Sequence, residues 1–317
     1  MKKRSLKFKL IVGGILAAII PLMVVGLFSI RKSSNALVSL SKGQAEILAQ
    51  NLATLTDMAM EQEIKFARGL SLDPLVKNAV TKVAETGVDN SMSELKTLDS
   101  FLTDIVKEVG ANYNVLFVTD SKGLFIADSN GGANRAKKTS VAERDYFASV
   151  KATGKITIGS PVLSKTTGEP ITVVAVPLKT VSGQFAGMFG ISLKLAALSD
   201  KITAVKIGKT GYPFMMANDG MTIAHPNKEF ILELNLGKLQ GMESITSRMM
   251  AQKSGVDTYT FKGTDKIAGF APVTLTGWSI GVTQNEAEFM APVVEIRNIV
   301  LLAGGIFLVL TLVGVLW

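Results

Sequence analysis

Leu10–Ile30 and Asn298–Trp317 contain no charged residue. Each is long enough to cross a hydrocarbon core about 30 Å thick, which takes about 20 apolar residues in a helix. They read as two transmembrane helices, and that reading constrains the rest of the chain more than any other feature. Between them, 31–297 has the polar, mixed pattern of a folded domain. A chain laid out in this way displays one folded region on one side of a membrane and carries its ends on the other.

The tail 1–9 sets the expected orientation. Lys2, Lys3, Arg4, Lys7 and Lys9 stand beside the first span with no acidic residue among them, and such a cluster is retained in the cytoplasm. The intervening domain is then expected outside. Ser34-Asn35-Ala36 has the look of a signal-peptide cleavage site, but the apolar run exceeds the roughly 7–15 residues of a signal core and two basic residues precede it. The net charge of +8 comes from 34 Lys and Arg against 26 Asp and Glu. With the five basic residues of the tail set aside, about +3 is left, too little to form the basic stripe that nucleic-acid binding needs. No nucleic-acid partner is expected. The chain has no cysteine, so the outer domain must be held by an ordinary apolar core rather than by disulfides.

From 34 to 70 there is no proline, and Leu37, Leu40, Ile47, Leu48, Leu52, Leu55, Met58, Ala59, Phe66 and Leu70 recur mostly at steps of three, four or seven. That spacing predicts one long stalk helix continuing out of the membrane and ended by Asp73-Pro74. Its apolar face can pack on the domain and can also pair with a second copy; a homodimer through the stalk and transmembrane helices is expected. A second helix is predicted over Ser91–Val109, capped by Ser91 or Ser93, with Leu95, Leu98, Leu102, Ile105 and Val109 along one face.

After Gly110 the pattern turns to short β-rich runs that contain an internal repeat. Phe117, Gly123, Ile126 and Ala127 recur as Phe214, Gly220, Ile223 and Ala224, each offset by 97 residues. Each copy reads as strand, tight glycine turn, strand. Val176-Pro177-Leu178 and Ala271-Pro272-Val273 follow at similar distances and lead to further hairpins at Ser182-Gly183 and Thr276-Gly277. Two tandem antiparallel sheets are therefore predicted, joined by a short helix over Leu195–Val205. The fold class is α+β.

The ordered set of motifs resembles the double Cache family, the extracellular sensor domains of bacterial chemoreceptors and sensor kinases. Its carriers are the long stalk helix, Asp120-Ser121-Lys122-Gly123, Arg144-Asp145-Tyr146-Phe147, Gly168-Glu169-Pro170, Val176-Pro177, Gly187 through Leu193, Gly211-Tyr212-Pro213-Phe214, Asn218-Asp219-Gly220 and Ala224-His225-Pro226. The resemblance covers nearly all of 31–297. It implies two PAS-like (Cache) lobes on the stalk, a membrane-distal one over about 75–195 and a membrane-proximal one over about 205–285, with the distal lobe as the usual ligand site. It also implies a two-pass protein of the bacterial inner (cell) membrane with a periplasmic or extracellular sensor domain.

Arg144 is the leading site candidate. It stands in a polar stretch ahead of a short aromatic segment, where a planar five-donor fork can grip a carboxylate. Tyr146 can add a hydroxyl and Phe147 an apolar wall. A surface ion pair of Arg144 with Glu143 or Asp145 is the plainer alternative. In amino-acid-binding members of the family, the arginine at this place holds the ligand's α-carboxylate. Two departures stand out: Tyr146-Phe147 replaces Trp-Tyr, and Ser192 stands where those members carry an Asp that pairs with the ligand ammonium. A hydroxyl cannot neutralise a buried ammonium. A small carboxylate lacking an amine, such as acetate, lactate or pyruvate, is therefore expected, with amino acids held in another manner and purine-type ligands left open. Asp128 completes the candidate set.

No metal or cofactor is expected. His225 is the single histidine and reads as a hydrogen-bonded turn residue, although hard-cation binding by carboxylates such as Asp128 or Asp219 stays open. No P-loop, H-E-x-x-H or G-x-S-x-G motif occurs, so a non-catalytic sensor is expected. Alternatives are the sensor half of a histidine kinase or nucleotide cyclase, and a stand-alone anchored binding protein.

Overall fold

The first helix carries the whole architecture. In the computed structural model, which describes residues 6–316, α1 runs unbroken over Leu6–Ser71 and joins the first apolar stretch to the stalk. Lys2, Lys3 and Arg4 of the basic tail and Trp317 lie outside the described residues, as do the side chains of Lys7 and Lys9. Ala49, Leu52, Ala53, Met60 and Ala67 are buried along one face of α1, at the three-, four- and seven-residue steps that bring helix side chains onto one side. Leu40, Ile47, Leu55 and Met58 are exposed on another. The apolar positions that read as one seam in the sequence are thus two, and only one is covered by the rest of the chain.

Asp73-Pro74 ends the stalk and also starts a helix that the sequence reading missed. The Asp73 carboxylate accepts the Leu75 N–H at 2.8 Å and Pro74 occupies the first turn, so α2 forms over Pro74–Thr86 with its first orphan donor satisfied. Next comes α3, Met92–Val109. Ser91 stands at its start as expected, but its hydroxyl donates to the Gly87 carbonyl at 2.8 Å instead of capping the helix.

The first lobe then follows: β1 (Tyr113–Thr119), β2 (Phe125–Asp128), α4 (Ala133–Ala136), α5 (Asp145–Thr153), β3 (Thr157–Ile158), β4 (Val162–Leu163), β5 (Pro170–Lys179) and β6 (Phe185–Lys194). Its antiparallel sheet runs β2-β1-β6-β5-β3, with β4 also on β5. Helix α6 (Leu195–Thr203) leads to the second lobe: β7 (Tyr212–Met216), β8 (Thr222–Ala224), α7 (Glu243–Met250), β9 (Gly255–Phe261), β10 (Thr264–Val273) and β11 (Trp278–Asn285). That sheet runs β8-β7-β11-β10-β9, the same plan. The repeat also extends further than the sequence showed. Phe117 pairs with Gly190 and Phe214 with Gly281, and a Cβ on either glycine would run into the phenyl ring opposite.

Alternation along the strands separates two layers. Leu116, Val118, Val174, Ile191 and Leu193 face the stalk side, while Val115, Phe117, Val173, Ala175 and Met188 face a smaller core beneath α5. The second lobe is tied to both long helices by carboxylates. Asp57 of α1 accepts the Thr274 and Leu275 N–H groups at 3.1 and 2.9 Å. Glu288 of α8 (Glu286–Leu316) accepts those of Lys209 and Thr210 at 2.7 and 2.9 Å. Helices α1 and α8 are each long and apolar enough to cross a membrane.

Candidate functional site

Beneath α5, between the outer face of the first sheet and the 159–169 segment, lies a narrow cavity of about 20 Å³. Of the five residues singled out from sequence, the fold brings Arg144, Tyr146 and Ser192 to this cavity and sends Phe147 and Asp128 elsewhere. Arg144 is the residue immediately before α5, in extended conformation, so its side chain leaves the helix end toward the sheet. Tyr146 enters from the first turn and is 3% exposed. Its hydroxyl makes no hydrogen bond among the described residues, and burial pushes the phenol well above its ordinary pKa. Ser192 rises from β6 opposite Val115 and Val173. It is fully buried, and its Oγ has no hydrogen-bond partner.

Phe147 is not among the residues that line this cavity. It packs edge-on against Phe185 with ring centroids 5.9 Å apart, within the same buried cluster as Phe117 and Phe125. The aromatic wall comes from Phe117 and Phe125, which stack at 4.4 Å. Asp128 also lies outside this lining and braces a loop. Its two oxygens accept the Asn130 N–H at 2.9 Å and the Asn134 N–H at 3.0 Å, which fixes the loop before α4.

The 159–169 segment closes the cavity. Arg144 donates to the Leu163 carbonyl at 2.9 Å, and β4 is laid on β5 by the Val162–Ile171 and Leu163–Pro170 pairs. Ser164, Lys165 and Thr166 add polar lining. Asn114 of β1 pins that turn by accepting from Ser164 Oγ at 2.8 Å and donating to Thr167 Oγ1 at 2.6 Å. Lys165 pairs with Glu143 and holds its carboxyl below the ordinary value, and Arg144 lies 3.8 Å from the same carboxylate. The ion pair weighed from sequence therefore exists, but Arg144 also points a donor at the closing segment. No Asp or Glu lines the cavity, while Arg144 and Lys165 both do. Beside it, the buried Asn134 Nδ2 has no partner, and its Oδ1 accepts from Thr166 at 3.1 Å.

At the equivalent place the second lobe has a smaller opening. Tyr212, Phe214, His225, Leu236, Met242, Tyr259 and Phe261 leave only about 10 Å³ there. His225 is a structural turn residue, as its sequence setting indicated. Its Nδ1 accepts the Asn227 N–H at 2.9 Å, and its ring lies edge-on to Tyr212 at 5.1 Å. Desolvation lowers its pKa from 6.5 to about 4. The folded state thus resists protonation while the unfolded chain takes up a proton below pH 6.5. The associated stability is present in full above that pH and is lost as pH falls toward 4, by up to about 3 kcal/mol. His225→Gln is expected to flatten the acid limb of a urea-midpoint profile across this window; an unchanged limb would mean that other groups set it. Among the described residues no cluster of His, Asp and Glu suited to a metal is present.

A family model for the Cache domain, of the double Cache type, matches residues 33–293. The methyl-accepting chemotaxis protein McpA of Bacillus subtilis (strain 168) is 26% identical over 323 residues, covering 99% of this chain and 44% of the relative. The chain therefore spans less than half the length of that protein. Among solved structures, the ligand binding domain of Mlp24 with asparagine has a TM-score of 0.55 at 20% identity, over 84% of this chain and 99% of that one. The extracellular domain of mmHK1S-Z2, named as a candidate histidine kinase, has a TM-score of 0.57 at 20% identity, over 79% of this chain and 99% of that one.

Proposed function

The chain belongs to the double Cache family of sensor domains, and from that premise we propose that it is the sensing part of a two-pass chemoreceptor whose first lobe binds a small carboxylate lacking an amine. The observation that carries the ligand class is the polarity of the cavity. Two cations and an unpartnered buried hydroxyl line it, and no carboxylate does. A ligand carboxylate finds a guanidinium fork there, with Ser192 and Tyr146 in reach of a second polar group. A ligand ammonium finds no counter-charge, and its burial unpaired is costly. Mlp24 was solved with asparagine; such a ligand shares the carboxylate but brings an ammonium that Ser192 cannot neutralise.

A cavity of about 20 Å³ holds one water, so a ligand must displace the closing segment. Arg144 is the hinge of that exchange in our reading. Its donor leaves the Leu163 carbonyl for the ligand carboxylate, and β4 loses its tether to α5. The resulting shift of the sheet reaches α1, which packs on its opposite face, and passes to α8 through the second lobe held by Asp57 and Glu288. A differential affinity of about 1–3 kcal/mol between two helix arrangements suffices for signalling. The uncovered stripe Leu40, Ile47, Leu55 and Met58 supports a homodimer through the stalk, and the basic tail supports a cytoplasmic N-terminus. A chemoreceptor is favoured over a kinase because McpA matches along 99% of the chain, whereas the kinase likeness is one of fold.

Calorimetry of the chain in detergent against acetate, lactate, pyruvate and L-alanine tests this. At least one of the three amine-free acids is expected to bind more tightly than L-alanine. Arg144→Ala should weaken it by about 1.5–3 kcal/mol, about ten- to hundredfold in Kd. Binding indifferent to Arg144→Ala would remove the site assignment.

A further inference from the structure

One cleft outside the membrane-spanning stretches has no part in the site described above. It measures about 320 Å³ and lies where the stalk, the second sheet and the start of α8 meet. Its walls are apolar: Leu48 from α1, Ile267 and Val282 from the sheet, Ile207 from the loop before β7, and Phe289 and Pro292 from α8. The opening has a structural cause. At Gly269 the stalk backbone rests directly on β10, so closely that a Cβ there would strike the Ala45 carbonyl. Two residues earlier on β10, at Ile267, α1, α8 and the sheet together wall a space that no side chain fills.

Four polar residues converge on this apolar space: Ser41, Gln44, Gln284 and Glu288. Glu288 already accepts from Lys209 N, Thr210 N and Thr210 Oγ1, with the Gln284 amide against it. Its acceptor positions are filled, and it has none left for a ligand ammonium. No Lys or Arg lines the cleft, so an anion finds no counter-charge beside Glu288. Ser41 and Gln44, by contrast, make no side-chain hydrogen bond among the described residues. Apolar walls of this volume with a few convergent neutral donors and acceptors are the usual make-up of a small-molecule site.

The position excludes an acyl chain as the natural occupant. Taking the apolar stretches as the spans, Pro292 lies about 9 Å and Ser41 about 16 Å beyond them at 1.5 Å per residue. The headgroup zone is only about 5–8 Å deep on each side. The cleft therefore opens to water, with its rim exposed at Gln44 and Pro292.

We propose that this cleft is a second ligand site, taking a small uncharged amphiphile with a short aliphatic body and one or two hydroxyl or carbonyl groups. Its occupant touches α1, α8 and the second sheet at once. It acts on the same two helices as the distal ligand without passing through the first lobe, and it does not depend on the carboxylate reading.

The absence of cysteine makes the test clean. The whole chain in lipid nanodiscs, carrying Gln284→Cys or, in a second preparation, Gln44→Cys, is labelled with a water-soluble maleimide with and without pentane-1,2-diol. Pentanoate and pentylamine serve as charged controls, and Asn218→Cys on the exposed β7–β8 turn as a remote one. At a diol concentration about ten times its Kd, labelling of the cleft thiols is expected to slow about tenfold, with Asn218→Cys unaffected and the charged analogues weaker. Unslowed labelling of both cleft thiols overturns the proposal, as does equal slowing by pentanoate or at Asn218→Cys. Protection that appears without diol and grows with chain concentration also overturns it, because a second copy would then cover the cleft.

Discussion

Asp99→Ala is expected to destabilise the chain by about 3–5 kcal/mol, the range for breaking one partner out of a buried ion pair. The Asp99 and Arg135 side chains are 5% and 13% exposed. Arg135 donates to both oxygens of Asp99, at 3.2 and 2.7 Å, and to the Ile126 carbonyl at 2.6 Å, while the Asp128 N–H donates to Asp99 at 2.9 Å. Alanine would leave a guanidinium and a backbone N–H buried without their acceptor. The change also reaches the candidate site, because Arg135 sits beside Asn134, which holds Thr166 at the cavity. Urea unfolding of the detergent-solubilised chain followed by far-UV circular dichroism provides the measurement. Lys65→Ala, which removes an exposed pair with Glu61 (side chains 61% and 57% exposed), should change stability by about 0–1 kcal/mol. Equal losses for the two variants would show that Asp99 does not brace the lobe.

Features set by local chemistry were legible in the sequence, and those set by distant pairing were not. The stalk was visible because helix periodicity is written into consecutive residues, and the tandem sheets because Phe117, Gly123, Ile126 and Ala127 recur at one offset. Arg144 stood out by its polar setting. Tyr146 and Phe147 leave α5 about 100° apart, and of the two only Tyr146 lines the cavity. The acceptors of Asp128 are engaged by Asn130 and Asn134 in a loop whose shape the sequence does not declare. Val162, Ser164, Lys165 and Thr166 were invisible as site residues: they reach the cavity only through the register of β4 on β5. The pairing of Phe117 with Gly190 could have been found. The Phe–Gly combination recurs as Phe214 and Gly281, a repeat signal one step beyond the matched turns.

Ser192→Asp is expected to reverse the ligand preference. Ser192 is fully buried on β6 between Val115 and Val173, and the cavity it lines also holds Arg144. An aspartate there places a second negative charge near the ligand carboxylate. At about 4 Å and an effective dielectric of about 20, the repulsion is about 4 kcal/mol, so the affinity for an amine-free acid should fall by about a hundred- to a thousandfold. An amino acid meets the opposite balance, because its ammonium supplies the counter-charge that the buried aspartate needs and relieves the penalty paid in the empty site. Calorimetry with the preferred amine-free acid and with L-alanine reads both effects in one variant. Ser192→Asn, similar in size and uncharged, should weaken both ligands without exchanging their order. If Ser192→Asp and Ser192→Asn behave alike, size rather than charge governs the site, and the absence of a carboxylate at position 192 would no longer explain the ligand class.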